Sequence, residues 1–182
     1  HAMSAVDAAL RIHNKMKSNR IESIEVKTFS VAYKIIVKDA EKLRPKTKET
    51  ADHSLPYIIA YTLLYGEPNI GSYNKETLED RKILDLIDKM HVDVDPEYDK
   101  MYPEYLPVKI SVITDLGKYI EEITVPKGHF RAPYDWDDLL NKGNRIMNDE
   151  DQARDILNAG KKLNKISIKE FLDVVNNVKV KR

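Results

Sequence analysis

The chain has 182 residues and a formal net charge of zero, from 30 Lys and Arg against 30 Asp and Glu, which argues against binding nucleic acid or an anionic membrane through bulk charge. It has no cysteine, which excludes disulfides, thiolate nucleophiles and cysteine-ligated metal sites. No apolar run reaches the ~20 residues of a membrane span and no secretory signal pattern opens the chain, so we expect a cytoplasmic globular protein.

The opening of the chain predicts a helix, a strand and a short helix. Apolar side chains recur at helical spacing over 4–18, which indicates an amphipathic helix. Apolar and polar residues alternate over 21–29, which indicates a strand with one solvent-exposed face. A short helix is predicted over 30–39. Residues 1–3 resemble a cloning remnant, and the pattern after them starts inside a helix, so we expect a fragment of a longer protein.

The central part of the chain predicts two further helices. Ser54 is a suitable N-cap with Pro56 in the first turn, and Gly66 ends the helix. Because this segment is apolar nearly all round, we expect it to be the central helix, packed against the sheet. Residues 75–90 predict a second, amphipathic helix.

The next part predicts a β-hairpin. A short strand over 91–95 ends at Pro96, and a loop then leads to the hairpin. Residues 108–114 and 119–125 alternate apolar and polar and flank a turn at 115–118, a pattern typical of two antiparallel strands.

Helices close the chain and complete the fold class. They are predicted over 136–147, 149–163 and 167–178. Ser167 and Glu170 form a capping box at the start of the last one. The order of elements predicts an α+β fold with helices on one face of a small, mainly antiparallel sheet. We place the α+β domain over 4–148 and a C-terminal helical segment over 149–182.

Reactive side chains concentrate around the start of the central helix. They are Lys46, Lys48, Asp52, His53, Ser54 and Tyr57. A helix N-terminus offers free N–H groups and partial positive charge, so a lysine and a histidine beside it are typical of a corner that binds a carboxylate or a phosphate. The alternative is a capped helix with a polar lead-in.

A second cluster follows the hairpin. Lys127, His129 and Arg131 are separated by single residues, and Gly128 lets the chain turn so that the three side chains converge. Cationic groups suit an anionic ligand, because arginine binds a carboxylate through two parallel hydrogen bonds. The alternative is a solvated turn.

The acidic residues before the hairpin do not predict a metal site. Asp93, Asp95, Glu97 and Asp99 lie close together, but a calcium loop requires a glycine at its sixth position and a glutamate at its twelfth, and neither is present. The sequence also lacks a glycine-rich phosphate loop, a serine-nucleophile elbow and a His-Glu-x-x-His zinc motif. We therefore predict no metal site.

Several motifs occur along the chain in one order: Ser4-Ala-Val-Asp-Ala-Ala9, Ile21-Glu-Ser-Ile-Glu-Val26, Ala51-Asp-His-Ser-Leu-Pro-Tyr57 with the helix ending at Gly66, Asp95-Pro96, the hairpin, and Pro126-Lys-Gly-His129 with Arg131. Together these motifs resemble the MmgE/PrpD family, whose best-known member is 2-methylcitrate dehydratase. They occur in the family's order and at similar spacing, between about Ser4 and Val178. The hairpin departs from the pattern, since its turn reads Thr114-Asp-Leu-Gly117 and its second strand is one residue short.

The resemblance implies a fold and an activity. Family members have a large all-helical domain and a smaller α+β domain with the active site in the cleft between them, and this chain resembles the smaller domain with its closing helices. The given sequence does not include the large helical domain. The resemblance implies that this domain is the partner of the chain in the complete protein. The implied activity is that of a carbon–oxygen lyase of propionate catabolism, which dehydrates a hydroxy-tricarboxylate by acid/base chemistry without a metal or organic cofactor.

The resemblance also implies site residues. His53 and Tyr57 would line the cleft as catalytic groups, His53 in proton transfer or carboxylate binding and Tyr57 as a hydrogen-bond donor. The candidates for substrate binding are Lys46, Lys127, His129 and Arg131. The last three either anchor a carboxylate or shape the domain wall.

Two classes of function stay open at this point. The first is a lyase fragment, inactive alone, whose substrate is not fixed because the same scaffold serves dehydratases, a cis-aconitate decarboxylase and an epimerase. The second is a stand-alone carboxylate-binding or interaction domain. A helical domain encoded upstream of Ser4 favours the lyase, whereas a start codon at Met3 favours the second class. We expect no nucleic acid or membrane partner, and the sequence leaves a homodimer open.

Overall fold

The computed structural model describes residues 1–18, 20–147 and 149–178. They form two compact units, which we describe separately: unit 1, residues 1–132, and unit 2, from Pro133 onward. The division falls after Ala132 and not after residue 148, because the helix Trp136–Met147 packs on the helix Glu150–Lys161. The end of the predicted segment 149–182 lies outside the described residues.

Unit 1 contains a four-stranded sheet. Its strands are β1 (Ile21–Thr28), β2 (Met90–Val94), β3 (Val108–Thr114) and β4 (Gly117–Ile123). The strand order is β2-β1-β3-β4, with antiparallel pairing except between β1 and β2. The predicted mainly antiparallel sheet is confirmed, with one parallel pair made possible by the long helical connection from β1 to β2.

The β3–β4 hairpin has a tighter turn than the sequence predicts. Thr114 pairs with Gly117, so the loop consists of Asp115 and Leu116. Gly117 has a φ of 139°, a conformation that glycine adopts at no steric cost. The strand β4 therefore begins at Gly117 rather than at Tyr119.

The helices of unit 1 precede the strands of the sheet or connect them along the chain. They are α1 (Met3–Lys15), α2 (Ser30–Ile36), α3 (Lys48–Asp52), α4 (Leu55–Tyr65), α5 (Lys75–Leu78), α6 (Arg81–Ile87) and α7 (Pro96–Met101). The predicted first helix is confirmed but ends at Lys15, and Asn19, at its predicted end, lies outside the described residues. The α4 boundaries are confirmed, with Ser54 as N-cap and Gly66 at the end with a φ of 85°.

Two predictions about local structure are wrong. The helix predicted over 75–90 is two short helices, because the side chain of Asp80 accepts a hydrogen bond from the backbone N–H of Lys82 at 2.9 Å and starts a new helix there. The loop predicted after Pro96 begins with α7, because Asp95 caps the backbone N–H of Glu97 at 3.0 Å and Pro96 takes the first helical position.

The core of unit 1 is formed by α1, α4 and the inner face of the sheet. Ala5, Ala8 and Ala9 of α1 are buried, and these small side chains let the helix approach β3 and β4 closely. The helix α4 is buried as predicted, but its closest neighbours are α1 and α6 rather than the strands. The prediction that α4 packs against the sheet is therefore corrected: α1 packs on β3 and β4, and α4 packs on α1 and α6.

Unit 2 is helical. It contains α8 (Trp136–Met147), α9 (Glu150–Lys161) and α10 (Ile168–Asn176). The capping box is confirmed, since the side chain of Ser167 bonds the backbone of Glu170 and the carboxylate of Glu170 bonds the backbone of Ser167. Within the described part of this unit, the buried apolar side chains are Ala153 and Ala159.

Candidate active site

The candidate site lies at the corner between α3 and α4. Thr47 caps α3 by accepting a hydrogen bond from the backbone N–H of Thr50 at 3.2 Å. The helix ends at Asp52, and the next residues, His53 and Ser54, are the C-cap of α3 and the N-cap of α4. Since Ser54 is buried and bonds the carbonyl of Lys42, the corner is fixed from within and presents His53 outward.

The His53 ring is held through one nitrogen. Its Nδ1 lies 3.1 Å from the backbone carbonyl of Glu49 and in close contact with the carboxylate of Asp52. Both partners accept hydrogen bonds, so Nδ1 carries the proton when the ring is neutral. Nε2 then has a lone pair, and it has no hydrogen-bond partner among the described residues. The side chain is 64% exposed.

His53 and Asp52 open onto a groove of about 540 Å³, which we call the His53 groove. Its walls are the start of α1, the end of α2 and the segment after α4. Its polar lining residues include His1, Asp52, His53, Glu67 and Tyr73. The side chains that line it include no lysine or arginine, and its histidines, carboxylates and tyrosine hydroxyl are groups that can transfer protons.

Tyr73 and Glu67 are lining residues that the sequence did not predict. Burial, and next the charge of Asp52, raise the pKa of the Tyr73 hydroxyl above its usual range, so Tyr73 stays protonated and able to donate a hydrogen bond at neutral pH. Neither residue belongs to a recognisable motif. The groove forms through folding, and the sequence carries no local signal for them.

Tyr57 is not among the residues that line the His53 groove. The residue is fully buried in unit 1, and its hydroxyl donates a hydrogen bond to the backbone carbonyl of Ser72 at 2.6 Å. Burial raises the pKa of this hydroxyl. The donor that the resemblance assigned to a substrate thus binds the protein's own backbone.

Lys46 does not join His53. It lines a different groove, of about 480 Å³, together with Arg44, Lys75 and Arg81. The helix α3 separates the two positions, because Lys46 lies before its start and His53 follows its end. The expected carboxylate-binding corner is therefore divided between two surfaces.

The turn after the hairpin brings Lys127, His129 and Arg131 into a compact loop. His129 and Ala132 form an isolated antiparallel β-bridge. The Nδ1 atom of His129 accepts a hydrogen bond from the backbone N–H of Arg131 at 3.2 Å. The backbone N–H of Lys127 donates to Asp7 of α1 at 2.8 Å. Thus the turn is held against α1, and Lys127, His129 and Arg131 are not among the residues that line the His53 groove.

The guanidinium of Arg131 is already engaged within this loop. It pairs with the carboxylate of Glu104 and lies 5.1 Å from the centre of the Tyr105 ring and 5.0 Å from that of Phe130. These contacts favour the second of the two expectations for this cluster, in which it shapes the domain wall.

In the described ranges, no group of three or more His, Cys, Asp or Glu side chains is arranged to hold a metal ion. No described helix combines the length and the apolar content needed to cross a bilayer.

The chain has a counterpart among known families. Residues 1–165 match the family model of the MmgE/PrpD C-terminal domain. The chain belongs to the MmgE/PrpD family and represents its C-terminal domain, which confirms the resemblance found in the sequence.

Several curated relatives of the chain share one enzyme name. The chain is 27% identical to 2-methylcitrate dehydratase of Escherichia coli K12 over 146 residues, which cover 74% of this chain and 30% of that protein. It is 28% identical to the mitochondrial 2-methylcitrate dehydratase of Yarrowia lipolytica over 140 residues, which cover 71% and 26%. It is also 28% identical to the probable 2-methylcitrate dehydratase of Saccharomyces cerevisiae over 159 residues, which cover 81% and 30%. The chain thus spans less than a third of the length of these relatives.

Proposed function

We propose that the chain is the C-terminal domain of a carbon–oxygen lyase that dehydrates a hydroxy-tricarboxylate of the 2-methylcitrate type, with a role in propionate catabolism. The observation that carries the proposal is the Asp52–His53 pair, which opens onto the His53 groove in a chain of the MmgE/PrpD family. The names of the relatives support the substrate class.

His53 acts in proton transfer in this proposal. Asp52 and the carbonyl of Glu49 hold the proton on Nδ1, so that Nε2 accepts a proton from the substrate carbon next to a carboxylate. The electron pair of the broken C–H bond forms the new carbon–carbon double bond. The C–O bond breaks, and the hydroxyl group takes up a proton from a second group and leaves as water.

The substrate carboxylates are bound by a part of the protein outside this chain. The side chains that line the His53 groove include Asp52 and Glu67 but no lysine or arginine, so the groove lacks the side chains that most often bind a carboxylate. Since the chain spans less than a third of its relatives, we propose that a helical domain of the complete protein closes the site and supplies the cations. His53 therefore transfers a proton rather than anchoring a carboxylate.

The test compares the 182-residue chain with the complete protein. Dehydration of 2-methylcitrate is followed by the ultraviolet absorbance of the alkene product, and folding by circular dichroism. We expect the chain alone to fold without turnover and the complete protein to be active. Turnover by the chain alone at a rate near that of the complete protein would contradict the division of labour. A complete protein that decarboxylates or epimerises its substrate, without dehydration, would contradict the reaction.

A further inference from the structure

A second surface of unit 1 concentrates positive charge. The groove of about 480 Å³ that contains Lys46 lies between the segment before α3 and the helices α5 and α6, and we call it the basic groove. Its charged lining residues are Arg44, Lys46, Lys75, Arg81 and one acid, Glu79. No residue lines both this groove and the His53 groove. We propose that the basic groove is a separate binding site for a small organic anion with at least two negative groups.

The positive charge of the basic groove is not neutralised by the protein. Arg44 is engaged, since it pairs with Asp88 and donates to the carbonyl of Leu43 at 2.7 Å. In contrast, the side chains of Lys46, Lys75 and Arg81 have no ion-pair or hydrogen-bond partner in the described part of the chain.

This excess of charge is a local property. The chain as a whole has as many acidic as basic residues, so a basic composition does not explain the cluster. Like charges gathered around one groove repel each other. A bound anion removes that repulsion, and it gains most where several cations face it at once.

The floor of the groove strengthens such binding. Pro45 and Leu78 are buried and Leu84 is partly buried, so the cations stand around an apolar base. Apolar surroundings lower the local dielectric and reduce screening by salt. The volume lies in the range typical of sites for small molecules.

The chemistry of the cations defines the class of ligand. Arginine binds a carboxylate or a phosphate through two parallel hydrogen bonds, and lysine binds either as a point charge. With three unpaired cations around one groove, a ligand with two or more anionic groups contacts more of them than a monovalent anion does. Carboxylates and phosphates share this chemistry, and the experiment distinguishes them.

The experiment measures binding of citrate and, separately, of inorganic phosphate to the 182-residue chain by isothermal titration calorimetry at constant ionic strength. The test variant carries Lys75→Gln and Arg81→Gln, which preserve helix propensity. The matched control carries Lys34→Gln and Lys118→Gln, two exposed lysines elsewhere in unit 1 that give the same change in charge.

We expect the wild-type chain to bind at least one of the two anions, the test variant to bind it about tenfold more weakly, and the control to bind it as the wild type does. Preference for citrate identifies a carboxylate ligand, and preference for phosphate a phosphorylated one. Absence of binding of both anions would overturn the proposal, and so would equal weakening in test and control variants. Because the readout is binding to the basic groove, it is independent of dehydratase activity and of His53.

Discussion

The corner at Asp52–His53 and the turn at Pro126–Ala132 both gather reactive side chains in the sequence, and the fold treats them differently. At the corner, His53 is held only through Nδ1, and Nε2 has no partner among the described residues. In the turn, the guanidinium of Arg131 pairs with Glu104 and lies over an aromatic ring. One cluster keeps a reactive atom available, whereas the other uses its cation to hold the loop.

The difference shows that composition does not decide which cluster is a site. A cluster can act on a ligand only where its neighbours orient a group without satisfying all of its hydrogen bonds. His53 meets that condition because both of its acceptors contact Nδ1, and the residue lines the His53 groove. Arg131 does not meet it.

The largest expected effect is that of His53→Gln on catalysis in the complete protein. Glutamine does not act as a base, so we expect kcat/KM to fall by roughly 10²–10⁴. Because His53 is exposed, the free energy of unfolding should change by less than about 0.5 kcal/mol. Steady-state kinetics and urea unfolding of the same variant check both parts.

A control at the other region sharpens this prediction. We expect Lys127→Ala to change kcat/KM by less than about threefold, because the turn that contains Lys127 does not line the His53 groove. Full activity of His53→Gln, or its failure to fold, would make His53 a structural residue.

An intermediate effect is expected from Tyr57→Phe, and it is on stability. The substitution removes the hydrogen bond from Tyr57 to the carbonyl of Ser72, so we expect the free energy of unfolding to fall by about 1–2 kcal/mol. Urea unfolding at pH 8 measures this loss. A variant with unchanged stability and reduced kcat would return Tyr57 to the catalytic role that the resemblance implied.

The difference in stability between the wild type and Tyr57→Phe depends on pH, and the direction of the change follows from the pKa of Tyr57. Burial raises the pKa of Tyr57 in the folded state, while an unfolded tyrosine ionises near about pH 10. The contribution of Tyr57 to stability is therefore complete below pH 10 and is lost as the pH rises toward the folded pKa. The stability difference between wild type and Tyr57→Phe should shrink between pH 8 and pH 11, and a constant difference would contradict this assignment.

The smallest expected effect is that of Arg131→Gln. Its ion pair with Glu104 and its contacts with Tyr105 and Phe130 are partly exposed, so we expect unfolding to become easier by no more than about 1 kcal/mol. The value of kcat/KM should change less than about threefold. A large rise in KM without loss of stability would instead make the turn a carboxylate anchor and remove the contrast with the corner.

The sequence predicted well the elements that carry strong local signals. Alternation located β1 and β3, and Ser54 and Gly66 located the ends of α4. Prediction from the sequence failed where one residue serves two structural roles. Asp80 lies inside an apolar periodic segment but caps a new helix, and Pro96 ends β2 and also starts α7.

The candidate site was predictable only in part. The exposure of His53 follows from its place beside a helix cap, because side chains there point away from the core. The burial of Tyr57 does not follow from its neighbours, since α4 is apolar on every face and only packing decides where a hydroxyl points. The separation of Lys46 from His53 depends on the direction of α3, a tertiary feature that residue spacing does not contain.

The central claim is that His53 presents an unprotonated Nε2 to the groove because Asp52 and Glu49 hold the proton on Nδ1. Long-range ¹H–¹⁵N spectra of the 182-residue chain, recorded where the ring is neutral, test it directly. We predict that the proton resides on Nδ1 in the wild type and that Asp52→Ala increases the fraction with the proton on Nε2. A wild-type ring that is protonated mainly on Nε2 would contradict the account, because that nitrogen then has no lone pair to accept a proton.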